Sequence, residues 1–311
     1  MTDDGATRAS VAATAAATFE AERSRLHAVA YRMLGSVADA EDVVQDTWLR
    51  WHRLGEAGRA EVRLPAAWFT TVASRLALDR LKSAQRQREE YIGPWLAEPV
   101  LTDGDPAVAT ELAESLTLGF LAVLERLSPV ERAVFLLADV FGEPYAAIAA
   151  IVDRSDEACR QIASRARRRV REQHRRPAGA TRRPASSDPS HRDDLVHAFA
   201  AACAFGDLDG LRRMLADDVV LVSDGGRDVH AARRPVLGAH RVTRLLANLA
   251  KRMPADTEVA VHAVNAEPGL VLSRGGRPWM VMALETDGGR IVAIRMVINP
   301  AKLRRLVSPL P

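Results

Sequence analysis

The sequence predicts a multidomain protein: two all-α modules followed by a C-terminal α+β domain. Three observations carry that reading. Apolar residues recur at helical spacing as far as Gln173, two breaks (Tyr91–Pro106 and His174–Ser190) interrupt them, and after His191 short β-branched runs alternate with glycine pairs. The expected helical modules are 19–90 and 107–173, joined by a linker over 91–106, and a second linker over 174–190 leads to a domain over 191–311. The first break holds three prolines and two glycines, which a helix cannot continue through. The second is rich in Arg, Pro and Ser, the composition of a solvated connector.

Length and composition agree. A chain of 311 residues suits two or three domains at about 150 residues each, and a hydrophobic share of 48% is ample for packed cores. The net charge of +3 says little, but its distribution is uneven: ten arginines against Glu172 alone between Arg160 and Arg183, and four acids with no base from Ala38 to Asp46. That asymmetry points to a polyanion at one place and a basic protein surface at another. The two cysteines, Cys159 and Cys203, have no metal-ligand spacing, so a reduced, cytoplasmic protein with no metal and no cofactor is expected. Met1–Thr18 lacks the basic start and apolar core of a signal peptide, and no apolar run approaches the ~18–20 residues that span a bilayer; no membrane partner is expected.

Asp39–Leu54 reads as a helix with Asp39 as N-cap and Val44, Thr47, Trp48, Trp51 and Leu54 as its inward stripe. Glu41, Asp42, Gln45 and Asp46 remain outward as a negative patch. Such a run is more often a solubilising face, and charge alone does not raise it above that. Pro65 opens the next helix at the first position, where its missing N–H costs nothing. Phe69, Val72, Leu76 and Leu81 face inward, and Arg75, Arg80, Lys82, Arg86 and Arg88 make the other side basic, suited to phosphates. Trp68 is either a stacking platform for an unpaired base or a core anchor, the commoner role for a lone helical Trp.

Ser128-Pro129-Val130-Glu131 is a capping box with proline at N1. The helix it opens stops at Gly142, a short helix covers Tyr145–Val152, Asp153-Arg154 turns, and Ser155 caps a last helix. That helix buries Ala158, Ile162, Ala166 and Val170 and leaves Arg160, Gln161, Ser164, Arg165, Arg167 and Arg168 free, a face suited to the major groove. In the last domain one amphipathic helix, Asp194–Leu215, precedes runs at Val219–Val222, Val259–His262, Leu270–Leu272, Trp279–Leu284 and Ile291–Ile298.

These stretches resemble a known family. DAEDVVQDTWLRW (39–51) resembles the region 2 polymerase-binding helix of the extracytoplasmic-function sigma factors, AWFTTVASRLALDRLKSAQRQRE (67–89) their −10-reading segment, and Leu127–Arg169 their −35-reading region 4. GPWLAEP (93–99), DGGRDVHAARRPVLG (224–238) and NPAKL (299–303) resemble the marks of a subgroup with a C-terminal SnoaL-like domain. The resemblance implies a region 2 helical bundle, a region 4 helix-turn-helix and an NTF2/SnoaL-like cone. It implies core RNA polymerase as partner, through the clamp helices of the largest subunit and the flap of the second largest, and promoter DNA.

On that resemblance Glu41, Asp42, Gln45 and Asp46 are candidate polymerase contacts, Leu64, Trp68, Arg75, Arg80, Lys82 and Arg86 candidate −10 contacts, and Arg160, Gln161, Ser164, Arg165, Arg167 and Arg168 candidate −35 contacts. Departures are Arg75 where many relatives have Asn, Asp153 for a small turn residue, and Ala97 and Ala301 where the subgroup has Pro and Asp. For the C-terminal domain a regulatory role is preferred, with Trp95, Leu96, Asp224, Gly225, Gly226, Arg227, Asn299 and Leu303 as contacts and room for a small-molecule ligand in its pocket. The competing readings are a SnoaL-type cyclase or isomerase using Asp224, His230, His240 or His262, and a ligand-sensing helix-turn-helix regulator. No catalytic residue is assigned, because none of the four has a partner at readable spacing.

Overall fold

Ser36, not Asp39, starts the acidic helix. Gly35 adopts a left-handed conformation (φ 67°) that ends the preceding helix, and the Ser36 hydroxyl accepts the Asp39 N–H at 3.2 Å. The structure, a computed structural model, describes residues 3–103, 114–174 and 189–306, with the side chains at 3–13, 85–89, 173–174 and 189–193 left aside. The expectations for Arg86, and for those parts of the two linkers and of the helical module that fall in 104–113 and 175–188, lie outside what is described.

The chain forms two units, 1–86 with 127–166, and 87–126 with 167–310. In the first, α1 (Asp3–Leu34), α2 (Val37–Arg53), α3 (Gly55–Glu61) and α4 (Pro65–Glu89) make a helical bundle. Its centre is aromatic: Phe69 meets Trp51 at 4.8 Å and Phe19 at 5.4 Å, edge-on, and Trp68 lies 5.3 Å from Trp51. Such pairs add about 0.5–1.5 kcal/mol each beyond their buried area. The α2 stripe is Ala40, Val43, Val44, Thr47 and Trp51. Leu54, expected inward, is 37% exposed because α2 ends at Arg53 and Gly55 (φ 67°) turns the chain there. On α4 the inward side is Phe69, Ala73, Ala77, Leu78 and Leu81, while Val72 and Leu76 are only half-buried.

The helix-turn-helix follows its sequence signals closely. After α5 (Leu118–Leu124), the capping box of Ser128 and Glu131 opens α6 (Pro129–Phe135), which runs through a π turn to Gly142. Pro144 leads into α7 (Tyr145–Val152), Asp153 takes the left-handed turn position (φ 54°), and Ser155 accepts from Ala158 N–H at the start of α8 (Asp156–His174). Cys159, Ile162, Ala163, Ala166 and Val170 form the buried side of α8.

In the second unit the expected single helix over 194–215 is two. Gly206 (φ 69°) ends α9 (Pro189–Phe205), and Asp207 caps α10 (Leu208–Met214) by accepting Gly210 N–H at 2.8 Å. Six strands follow: β1 (Leu215–Asp224), β2 (Val236–Leu237), β3 (Thr257–Val264), β4 (Glu267–Arg274), β5 (Arg277–Asp287) and β6 (Arg290–Val297). Helix α11 (Ala239–Lys251) lies between β2 and β3, and α12 (Pro300–Leu303) follows β6. The sheet order is β2-β1-β6-β5-β4-β3, antiparallel except for the parallel β1–β6 pair. The glycine pairs 275–276 and 288–289 form the β4–β5 and β5–β6 turns, all four at positive φ. One core joins Val196, Phe199, Leu211, Val242 and Leu246 to the sheet residues Leu270, Leu272, Met280, Met282, Leu284 and Ile294.

Strand alternation places Glu285 and Arg295 on the opposite sheet face, since their neighbours Leu284 and Ile294 point into that core. Both are almost fully buried, and they pair at 3.5 Å. Burial pushes the Glu285 carboxyl up to about 7, against the pull of Arg295. A carboxyl raised above its unfolded value near 4.3 holds its proton longer in the native state, so its stabilising contribution is full below about pH 4 and is lost as pH rises through about 7. Glu285→Gln is expected to flatten the decline in urea-unfolding free energy between pH 5 and 8; an unchanged pH profile would disprove this assignment.

Candidate functional site

The acidic patch and the basic helix, expected to face different partners, are partly tied to each other. Arg80 donates to Asp42 at 3.0 Å and to Asp46 at 2.9 Å, with Asp39 3.8 Å away. Desolvation lowers the Arg80 pKa, but the hydrogen bonds from Asp42 and Asp46 outweigh it and hold it above the ordinary value. Glu41 and Gln45 are exposed and border a groove of about 460 Å³ between α1 and α2 with Phe19, Arg23, His27 and Trp48. Burial lowers the His27 pKa, and Glu41 pulls it back up.

On α4, Leu64 is 70% exposed at the helix entry, and Lys82 is exposed beside Asp79 at 3.5 Å. Trp68 is half-buried against Trp51 and Phe69, so the core-anchor reading describes its contacts. Arg75 is exposed but engaged: its guanidinium donates to the Ala150 carbonyl of α7 at 2.6 Å. Two further links bind the bundle to the helix-turn-helix within this unit. Arg25 pairs with Glu143 at 2.5 Å, and the buried Arg132 donates twice, at 3.0 and 3.3 Å, to the Arg32 carbonyl in the last turn of α1, where the helix dipole favours a cation. On α8, Arg160, Gln161, Ser164, Arg165 and Arg168 are exposed and Arg167 is half-buried. Arg160 sits over the Tyr145 ring at 5.4 Å and beside Asp156 at 3.4 Å.

The second unit contains the most highly connected site. Asp224, at the end of β1, is wholly buried. Its carboxylate accepts from Tyr91 hydroxyl at 2.5 Å, Leu96 N–H at 2.8 Å, Gly226 N–H at 3.1 Å and Lys302 Nζ at 2.7 Å. Lys302 also donates to the Leu96 carbonyl and stands 4.0 Å over the Trp95 ring. Asn299 caps α12 through Ala301 N–H at 3.0 Å and donates to Tyr91 hydroxyl at 2.8 Å. Burial, then Asp224, holds the Tyr91 phenol well above the ordinary range. Trp95, Leu96, Asp224, Gly226 and Asn299 thus come together; Leu303 is buried on α12, and Gly225 packs against Val229 and Ala231. Arg227 does not join them: it is exposed, because the chain turns outward after Gly226 (φ 66°).

A second fastening was not anticipated. Asn265, in the β3–β4 turn (φ 51°), exchanges hydrogen bonds with Val100 at 2.8 and 2.9 Å and reaches the Leu116 carbonyl at 3.0 Å. Thr102 pairs with Ala263, and Asp103 holds His262 Nδ1 at 2.7 Å. Tyr91, Lys302, Asn265 and Asp103 were therefore missed. Only Lys302, inside the NPAKL stretch, carried a sequence signal. Of the catalytic candidates, His230 and His240 are exposed, His262 is occupied by Asp103 and Asp224 by the clamp. Among the described residues no three His, Cys, Asp or Glu side chains are placed to hold a metal, and no helix is long and apolar enough to cross a membrane.

Residues 18–87 match the Sigma-70 region 2 family and residues 118–170 the Sigma-70 region 4 family. The chain is 39% identical over 297 residues to the ECF RNA polymerase sigma factor SigJ of Mycobacterium tuberculosis, covering 91% of each. It is 33% identical over 297 residues to the probable ECF RNA polymerase sigma factor SigI of that species, covering 94% of this chain and 96% of the relative. The crystal structure of M. tuberculosis SigJ matches with a TM-score of 0.72 at 35% identity, over 95% of this chain and all of that one.

Asp224→Asn removes the charge that Lys302 faces in a buried setting. The second unit is expected to lose about 3–5 kcal/mol of unfolding free energy, measured in urea, with part regained in Asp224→Asn/Lys302→Met. A loss below about 1 kcal/mol would show the pair to be solvated.

Proposed function

The chain belongs to the ECF RNA polymerase sigma factors, and from that premise we propose that its C-terminal domain governs promoter recognition by holding the linker between the two DNA-reading modules. The supporting observation is the clamp: residues 91–103 are fastened at Asp224 by Tyr91 and Leu96 and at Asn265 by Val100. Elements named for positions −10 and −35 lie about 25 base pairs apart, roughly 85 Å of duplex at 3.4 Å per base pair. The linker 91–106, fully extended, reaches roughly 55 Å. Released, the linker adds up to that length to the separation of the two modules; fastened to the C-terminal domain it adds little, and Arg75 stays bonded to Ala150. The free chain is thus the resting form, and release of the linker lets the helix-turn-helix move away from α4.

In this reading Glu41, Asp42, Gln45 and Asp46 meet the polymerase clamp helices, and Arg80 holds two of the four in place before docking. Leu64 and the exposed Arg75 and Lys82 of α4 engage the −10 element, with Trp68 supporting them from the core; Arg86, expected on the same side from the sequence, belongs to this reading as well. The α8 arginines with Gln161 and Ser164 engage the −35 duplex. The protein works beside polymerase in the cytoplasm and carries out no chemistry of its own. The core that joins the helices of the C-terminal unit to one sheet face is apolar, and the buried Glu285 on the other face is already paired with Arg295, which favours this reading over a cyclase or isomerase. A small-molecule ligand belongs to this reading as well, at a site other than that core.

Transcription with purified core polymerase tests the whole. Adding the protein is expected to yield a start-site-specific transcript, and absence of both transcript and core complex would refute the reading. Asp42→Lys/Asp46→Lys should weaken core binding about tenfold or more with the helical content unchanged. Separately, Arg160→Ala and Arg165→Ala should each cost about 1–3 kcal/mol in −35 duplex binding if they make bidentate base contacts, as read by fluorescence anisotropy at fixed salt.

A further inference from the structure

We propose that the second unit binds a small, multiply charged oxyanion in the seam between the linker and the loop that follows β1. A cavity of about 220 Å³ lies there, walled by Ile92–Pro94 on one side and by Ser223 and residues 225–233 on the other. Arg227, His230 and Arg233 line it, all three exposed, and among the described residues none of them has a hydrogen-bond or ion-pair partner. Asp228 is the one acid in the lining and pairs with none of them. Cations gathered around a concavity without acceptors are arranged for an acceptor from outside, and the guanidinium fork matches phosphate or carboxylate oxygens in pairs.

The loop is built to hold its shape. Ser223 accepts Ala232 N–H at 3.0 Å and donates to the Ala232 carbonyl, joining its two ends. Gly225 is required inside it, since a Cβ there would stand 2.5 Å from the Val229 carbonyl oxygen. On the linker side a Cβ at Gly93 would lie 3.5 Å from the Arg233 Cα, so the two backbones are in contact. The volume falls below the roughly 300–1,000 Å³ of drug-sized pockets. It suits a group the size of a phosphate monoester rather than a dinucleotide or a polycyclic ligand. An anion held there touches both walls, so its binding favours the docked linker; that consequence rests on the linker reading, whereas the site itself does not.

Calorimetric titration of the full-length chain with inorganic phosphate, and in parallel with glycerol 3-phosphate, tests the site without polymerase. Saturable one-to-one binding is expected for at least one probe. Arg227→Ala/Arg233→Ala should weaken it by about tenfold or more, as two charge-assisted contacts are lost. Arg212→Ala/Arg213→Ala, a pair equally exposed on α10, should leave it unchanged, and thermal melting checks that both variants fold. No saturable heat with either probe up to millimolar concentrations overturns the proposal. So does an equal loss in the α10 control. Binding of duplex DNA through Arg227 and Arg233 with no response to either small anion also overturns it, and assigns those cations to nucleic acid.

Discussion

A carboxylate taken wholly out of water is stable only when every lone pair is met, and Asp224 shows what that demands. Four donors converge on it from three parts of the chain: the linker, the turn after β1 and α12. Remove one part and the others face an uncompensated charge, which costs far more than the contact itself is worth. The consequence is all-or-none docking. A linker held by apolar area alone could slide or loosen by degrees. One held at a buried ion pair, with Lys302 also bonded to the Leu96 carbonyl and stacked on Trp95, is either seated or released.

The same logic, in weaker form, operates in the first unit. Arg75 on Ala150 and Arg25 on Glu143 are single, partly exposed bonds, worth at most a kcal/mol or so in water. Arg132 differs, because it is buried and doubly bonded to the end of α1. Among the described residues the polar contacts between helix-turn-helix and bundle therefore include one strong anchor and two labile ones. On the proposed reading such a contact holds in the free chain and yields to a partner that offers phosphates or a larger surface.

What the sequence made legible follows from whether the information is local. Capping at Ser128, the left-handed turn at Asp153 and the glycine-pair hairpins depend on a few neighbouring residues, and each was readable. So were the helical modules and the α+β character of the last domain. Long-range pairings were not. Asn265 reads as an ordinary turn residue, and nothing near it says that its side chain spans 165 positions to Val100. Arg80 reads as a phosphate contact until α2 is seen beside it. Periodicity reads 194–215 as one continuous helix because it outweighs a single glycine, yet Gly206 and the Asp207 cap together end one helix and begin another.

The two departures in the linker and tail bear on how firmly the clamp holds. Ala97 stands where the resemblance to the SnoaL-bearing subgroup implies proline, and it is buried. Proline would fix φ and lower the entropy of the released linker, so alanine makes the free state more favourable without removing a bond. Ala301 stands where the same resemblance implies an acid, in the first turn of α12, and its N–H is already satisfied by Asn299. There the loss is only a favourable charge near a helix N-terminus, a few tenths of a kcal/mol at an exposed site. Both changes weaken the docked state and neither touches Asp224. On the proposed reading the clamp keeps its switch-like character at a lower threshold for release, and that is where the proposed oxyanion, bridging linker and loop, has the most leverage.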